Sequence, residues 1–143
     1  MKITKFEDLD CWQEARALTQ SVYAATRNGL YKHDYGLTDQ TRRAATSIMA
    51  NIAEGFSRQG DREFTQFLFI AKTSASELQS HLYVALDQGY IDQDYFQPSQ
   101  NQLEGSHKRL SNLIKHLKSS SKTGLYDSMT QRPYRPYDPM TCI

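Results

Sequence analysis

Cysteine is almost absent from this 143-residue chain, and its two copies, Cys11 and Cys142, stand at opposite ends. With no CxxC pair and no Cys/His cluster, the chain suggests neither a disulfide scaffold nor a zinc site, and both residues read as ordinary thiols. No apolar run approaches the roughly 20 residues of a membrane span, and "MKITKFEDLD" carries no signal-peptide core, so a cytoplasmic protein is expected. Period-two alternation never persists, which leaves no convincing strand. Acid is scarce late in the chain. Residues 95–143 hold 7 Lys/Arg against 3 Asp/Glu, whereas residues 1–94 hold 10 against 13, an asymmetry hidden by the formal net charge of +1.

What is present is helical periodicity. At 38% hydrophobic and 23% charged, the chain is the size of one domain able to bury a real core. Leu9, Trp12, Ala15, Leu18, Val22 and Tyr23 recur at three- and four-residue spacing, predicting a helix from about Glu7 to Arg27. "NGLYKHDYG" ends it. Thr38 stands in a plausible N-cap position for a second helix running to about Gly55. After "SRQGD", with Asp61 as the expected cap, a long third helix carries Phe64, Phe67, Leu68, Ala71, Ala75, Leu78, Leu82, Ala85 and Leu86 on one stripe. "QGYID" closes that helix, and a fourth, from Asp92 to about Leu117, offers Phe96, Leu103, Leu110, Leu113, Ile114 and Leu117. Four helices with short connections make antiparallel neighbours, so the expected fold is all-α, an up-down-up-down four-helix bundle. Residues 1–120 form the bundle in this reading, and 121–143 a Pro/Tyr/Arg-rich extension.

The second helix, "LTDQTRRAATSIMANIAEGFSR", does not divide into one wet and one dry face. At about 100° per residue, Leu37, Ala44, Ala45, Ile48, Ile52 and Phe56 form a core arc. Gln40, Arg43, Ser47, Asn51, Glu54 and Arg58 form a polar arc beside it. The third arc, Arg42, Thr46, Met49, Ala50 and Ala53, is small and nearly uncharged. Either a second subunit covers that arc, or it is an alanine-rich exposed surface.

A hairpin turning near residues 57–61 sets facing positions whose numbers add to about 120, so Ile48 meets Ala71 and Ile52 meets Leu68 or Phe67. The same arithmetic puts Arg43 opposite Glu77, an expected ion pair that would hold helix register. Glu54, Glu77 and His81 also invite a di-metal reading, but Glu77 to His81 is i,i+4 rather than the Glu-x-x-His of di-iron bundles. No second copy exists, so no metal and no cofactor is expected.

"FEDLDCWQEARAL", "YGLTDQTRRAATSIMANIAEGFSR", "EFTQFLFIAKTSASELQSHLYVALDQGYI" and "LSNLIKHL" together resemble the four-helix-bundle family encoded within intervening sequences of bacterial 23S ribosomal RNA genes. The similarity spans roughly residues 6–118. Relatives of that family include the accessory variability determinants of diversity-generating retroelements, which work beside a reverse transcriptase. The resemblance implies a left-handed antiparallel bundle, a homopentamer with a central channel, no known catalytic activity and, in the retroelement branch, a basic surface that binds nucleic acid. It marks Arg42, Arg43, Asn51, Glu54, Gly55 and Glu77 as motif positions, none with a catalytic role. The chain departs from the pattern at Met49, where proline is usual and would kink the helix, and at Thr73, where glycine is usual. The Phe-Pro pair common before "YGLT" is also missing.

Two further features bear on function. Helix 4 carries His107, Lys108, Arg109, Lys115, His116 and Lys118, followed by Lys122, with little acid after Glu104. Singly these are routine partners of a helix C-terminus; repeated around a ring they would make a basic belt whose phosphate contacts add. In the extension, "RPYRPYDPM" repeats proline every three residues, the period of polyproline II, which would segregate Pro133, Pro136 and Pro139 from Tyr134 and Tyr137 and from Arg132, Arg135 and Asp138. Such a ribbon is suited to stacking on unpaired bases or docking in an aromatic groove of a partner; the alternatives are a disordered tail or one lying on a neighbouring subunit.

No enzyme is expected, because His33, His81, His107 and His116 are scattered and assemble no triad. The leading expectation is an oligomeric, non-catalytic scaffold that binds RNA or DNA through Lys108, Arg109, Lys115, Lys118, Lys122, Arg132 and Arg135, beside a reverse transcriptase. The alternative is a protein-interaction module that recruits a partner through its tail and never touches nucleic acid.

Overall fold

The computed structural model describes residues 3–121, and it is helical nearly throughout. A 3-10 turn at Phe6–Asp8 leads into α1 (Asp10–Thr26); a second one at Tyr31–His33 precedes α2 (Tyr35–Ser57), followed by α3 (Asp61–Asp87) and α4 (Gln93–Ser121). Among the described residues there is no strand. Each helix packs on the next and α1 closes the bundle against α4, with α2 and α3 the most extensively packed pair and α1 and α4 the least. The expected four-helix bundle is thus the fold.

Helix ends follow local chemistry more closely than the expected boundaries. Asp34, not Thr38, caps α2: the Leu37 amide donates to Asp34 Oδ1 at 3.1 Å, so the helix starts at Tyr35. The Thr38 hydroxyl donates instead to the Tyr31 carbonyl at 2.8 Å. Asp61 is the first residue of α3 rather than its cap, since Gly60 takes the N-cap position with φ +144°, a conformation that favours glycine. At α4, Asp92 Oδ1 accepts from the Tyr95 amide at 2.9 Å, a side-chain cap of the usual kind. With Met49 where proline is usual, α2 runs unbroken.

The core arc of α2 lies inside as indexed: Ala44, Ala45, Ile48 and Ile52 are buried, joined by Thr41 and Gly55, with Leu37 and Phe56 half-buried at its ends. Across from them lie Leu68, Ala71, Ala75 and Leu78 of α3, then Leu103, Leu110 and Ile114 of α4. Alanine and serine dominate the α2/α3 seam because the backbones approach closely there. The Ser47 and Ser74 hydroxyls hydrogen-bond across it at 2.8 Å, and a Cβ on Gly55 would meet Phe67 and Phe64. Both contacts fit the hairpin register expected from the turn position.

That register does not, however, bring Arg43 to Glu77. Arg43 Nε reaches Asp39 Oδ2 at 2.9 Å, one turn back on its own helix, and both side chains are largely exposed, at 79% and 63%. The outer edge of the polar arc points to water, and an i,i+4 carboxylate lies closer than one on a neighbouring helix. Glu77 is likewise exposed. The expected register pair is therefore replaced by the serine contact further in.

Tyr31, read from sequence as part of a loop, is core. It is 1% exposed, its hydroxyl shares a 2.9 Å hydrogen bond with Thr41, and its ring stacks on Tyr90 at 5.3 Å. The Tyr90 hydroxyl donates to Asp34 Oδ2 at 3.1 Å, so one carboxylate both starts α2 and ties it to the end of α3.

Candidate nucleic-acid interface

The basic residues of α4 divide between two faces. Lys108 and Lys115 are exposed and Lys118 half-buried. At about 100° per residue these three share one side of the helix, while Arg109 lies roughly half a turn around from Lys118. Arg109 turns to α1, where its Nε meets Glu14 Oε1 at 2.9 Å and its terminal nitrogen meets Asp10 Oδ2 at 3.4 Å. Two carboxylates thus meet a charge that the sequence had grouped with the lysines. Arg109 lines a cleft of about 390 Å³ between α1 and α4, beside Glu14, Ala17, Asn101 and Gly105. Glu14 Oε2 is buried there without a hydrogen-bond partner.

The lysine side gains a contribution from α3 that the sequence reading missed. Lys72 Nζ lies 5.6 Å from the Phe69 ring centroid, and Lys118 Nζ lies 5.1 Å from the same centroid, so one aromatic ring gathers cations from two helices. Both approaches fall within the range of a cation–π contact. Further along, His107 Nε2 and the Ser76 hydroxyl are 3.2 Å apart. Burial first, and the nearby Lys72 second, push the His107 imidazole below its usual pKa of 6.5, which favours the neutral ring. The α3/α4 turn near residue 91 makes facing numbers add to about 183, so the hairpin arithmetic that placed Ile48 would also have placed Lys72 beside this face. Glu104, one turn before Lys108, is the nearest acid along α4.

The motif positions of α2 have mainly structural roles. Asn51 Nδ2 donates to the Ser47 carbonyl at 2.8 Å and lies 3.0 Å from its hydroxyl, which braces the serine that bridges to α3. Glu54 pairs with Arg58 at 3.0 Å on the same helix, and the Arg58 guanidinium lies 5.3 Å from the Phe67 ring centroid. Arg42, expected to face the third arc and a neighbouring subunit, is engaged within the chain: its Nε donates to the Thr26 hydroxyl at 2.8 Å and its guanidinium sits 4.5 Å from the Tyr23 ring centroid. Helix α1 therefore covers part of that arc, leaving Ala50 exposed and Ala53 half-buried.

Among the described residues, no group of three or more His, Cys, Asp and Glu side chains could hold a metal ion, so Glu54, Glu77 and His81 do not converge. No described helix is long and apolar enough to cross a membrane. Lys122, Arg132 and Arg135 lie outside the described residues.

Residues 7–112 match the family described as 23S rRNA-intervening sequence protein. A crystal structure of a protein with unknown function from the S23 ribosomal protein family of Bacteroides thetaiotaomicron VPI-5482 superposes with a TM-score of 0.67 at 24% identity, covering 73% of this chain and 98% of that one. That likeness speaks to the fold. Among curated proteins none matches.

Proposed function

Because the chain belongs to the 23S rRNA-intervening sequence protein family, we propose that it is a non-catalytic, oligomeric scaffold that holds RNA or DNA against a basic surface. The observation that carries this reading is a basic face on which Lys72 of α3 and Lys118 of α4 meet at the Phe69 ring and Lys72 neighbours His107, with the exposed Lys108 and Lys115 on the same side of α4 by helical indexing. A monomer of formal charge +1 has little general attraction for a polyanion. Local clustering supplies a footprint, and repetition by symmetry multiplies it. A homopentamer is the assembly proposed, in the cytoplasm, with work beside a reverse transcriptase of a diversity-generating retroelement as the finer role. No element on this face is shaped to read base edges in a groove, so charge and strand geometry would govern binding.

The test is a titration of labelled RNA and DNA across salt. Affinity should fall steeply between low and physiological salt, with a slope reporting several neutralised phosphates, and Lys115→Glu with Lys118→Glu should abolish binding while leaving the assembly intact. Absence of binding to any nucleic acid at low salt would overturn this reading. The second reading, recruitment of a protein partner, draws on the three-residue proline period of 132–139. It predicts capture of a partner that depends on residues 121–143 and survives nuclease treatment.

A further inference from the structure

The seam between α1 and α4, the least closely packed of the neighbouring helix pairs, carries more acid than base. Asp8 and Asp10 line a recess of about 300 Å³ toward the end where α4 terminates, Glu14 lines the cleft of about 390 Å³ that follows it, and Arg109 borders both. Among the described lining residues, Arg109 is the single base against these three carboxylates. It meets Glu14 through Oε1 at 2.9 Å and Asp10 at 3.4 Å, while Glu14 Oε2 is buried with no hydrogen-bond partner. From this uncompensated acid we propose that residues 132–139 of the same chain fold back into the α1/α4 cleft, placing Arg132 and Arg135 on Asp10 and Glu14. The proposal stands apart from the nucleic-acid reading, which rests on the lysines of the α3/α4 face.

A carboxylate oxygen withdrawn from water needs a donor, and a guanidinium is the donor that suits it best. The terminal torsion of a glutamate is soft, so a small turn presents Oε2 to a group entering the cleft. Charge selects among occupants: three carboxylates repel a nucleic-acid strand and attract an arginine-bearing peptide. Reach permits the chain's own segment. Residues 122–131 span roughly 33 Å when extended, more than enough to return to Arg109. That residue lies only about 18 Å back along α4 from Ser121. In a polyproline II ribbon Arg132, Arg135 and Asp138 share one face at steps of about 9 Å. Asp10 and Glu14 stand one helical turn apart, about 6 Å along α1, a difference that long arginine side chains absorb. The next step carries Asp138 beyond Glu14 to Asn101 and Gln102, which line the far part of the cleft. Asn101 Oδ1 already accepts from Gln97 at 3.0 Å, which leaves its NH2 to donate to the Asp138 carboxylate. Ala17 and Leu18 supply an apolar wall for proline rings, and a Cβ on Gly105 would meet nothing within 4 Å, so the space above it is open.

The test uses the full-length protein and limited chymotrypsin digestion, with cleavage after Tyr134 and Tyr137 followed by mass spectrometry. Docking shields both bonds, so cleavage should be slow in the wild type and severalfold faster in Glu14→Gln, which keeps the side chain's shape and removes its charge. Arg132→Gln combined with Arg135→Gln should release the segment to the same extent. Gly105→Leu fills the cleft from a helical position with open space around it and improves helix propensity, so it should keep the fold by circular dichroism and still speed cleavage. Independently of digestion, Tyr137 replaced by the photocross-linker p-benzoylphenylalanine should join to peptides containing Ala17, Leu18 or Gly105 within one chain. Equal cleavage rates in the wild type and all three variants, or cross-links confined to other surfaces, would overturn the docking. Cross-links to the cleft of a second copy only would overturn the fold-back and give the cleft to a neighbouring chain. None of these outcomes bears on the salt-dependent binding assigned to Lys115 and Lys118, so the two readings fail separately.

Discussion

A Cβ placed on Gly55 would lie 2.6 Å from the Cβ of Phe67 and 3.0 Å from the Phe64 ring. The first of these neighbours is anchored directly to the α3 backbone, so it can yield only if the two helices separate. This close approach explains the glycine that ends the "NIAEG" stretch: Gly55 has an ordinary helical conformation and is needed for its lack of volume. Replacing it with alanine should improve intrinsic helix propensity slightly and still destabilise the protein, by about 1–3 kcal/mol, as an overpacked seam does. Urea denaturation of Gly55→Ala checks this, and an unchanged midpoint would show that the helices part more easily than the contact implies.

The ion pairs lead to a different expectation. Arg43 and Asp39 are exposed, as to a lesser degree are Arg109 and Glu14 at 51% and 37%. Arg43→Ala should therefore cost no more than about 0.5 kcal/mol, and Arg109→Ala no more than about 1 kcal/mol, by the same denaturation measurement. Arg109→Ala should also leave nucleic-acid affinity within about twofold, whereas Lys115→Glu lowers it severalfold, because only the lysine lacks carboxylates beside it on α1. A loss of several kcal/mol on removing Arg43 would mean that it meets α3 after all.

His107 supplies a pH dependence whose sign follows from its surroundings. It faces Lys72 and Ser76 on α3 and has Glu104 and Lys108 as neighbours one turn away and adjacent on α4. Its folded pKa is lowered below 6.5, chiefly by burial. Below that value the unfolded chain binds the proton more readily, so the contribution is fully present above about pH 6.5 and is lost as the pH falls toward the folded value. Stability measured by urea unfolding should drop between pH 7.5 and pH 5.5, and His107→Gln should reduce that drop. A bound phosphate favours the imidazolium, so oligonucleotide affinity should move the other way and rise on acidification. An affinity indifferent to pH in the wild type would remove His107 from the phosphate contacts.

Assembly is tested best at Ala50. This residue is exposed on the single chain, unlike the half-buried Ala53, so Ala50→Glu should leave monomer folding intact by circular dichroism. If the small outer face of α2 is covered by another subunit, sedimentation velocity should give a mass near five times 16.5 kDa for the wild type and a much smaller one for the variant, because a carboxylate would be buried there without a partner. A wild-type chain that sediments as a monomer at every concentration would end the ring proposal. With it would go the avidity that the basic belt depends on.

The sequence by itself determined the helices, their order and the α2/α3 register, because three- and four-residue apolar spacing and turn residues act locally. It could not decide partners across the bundle. Arg43 seemed destined for Glu77, yet an aspartate one turn away met it first. Lys108 and Arg109 are adjacent in the chain, but about 100° per residue sends one to the basic face and the other to carboxylates on α1. Lys72 and Lys118 are far apart in sequence and carry no shared motif; only the packing of α3 against α4 brings both to the ring of Phe69. Periodicity reports which side of a helix is dry, whereas a site on the wet side depends on which neighbouring helix stands beside it, and that is decided when the bundle closes.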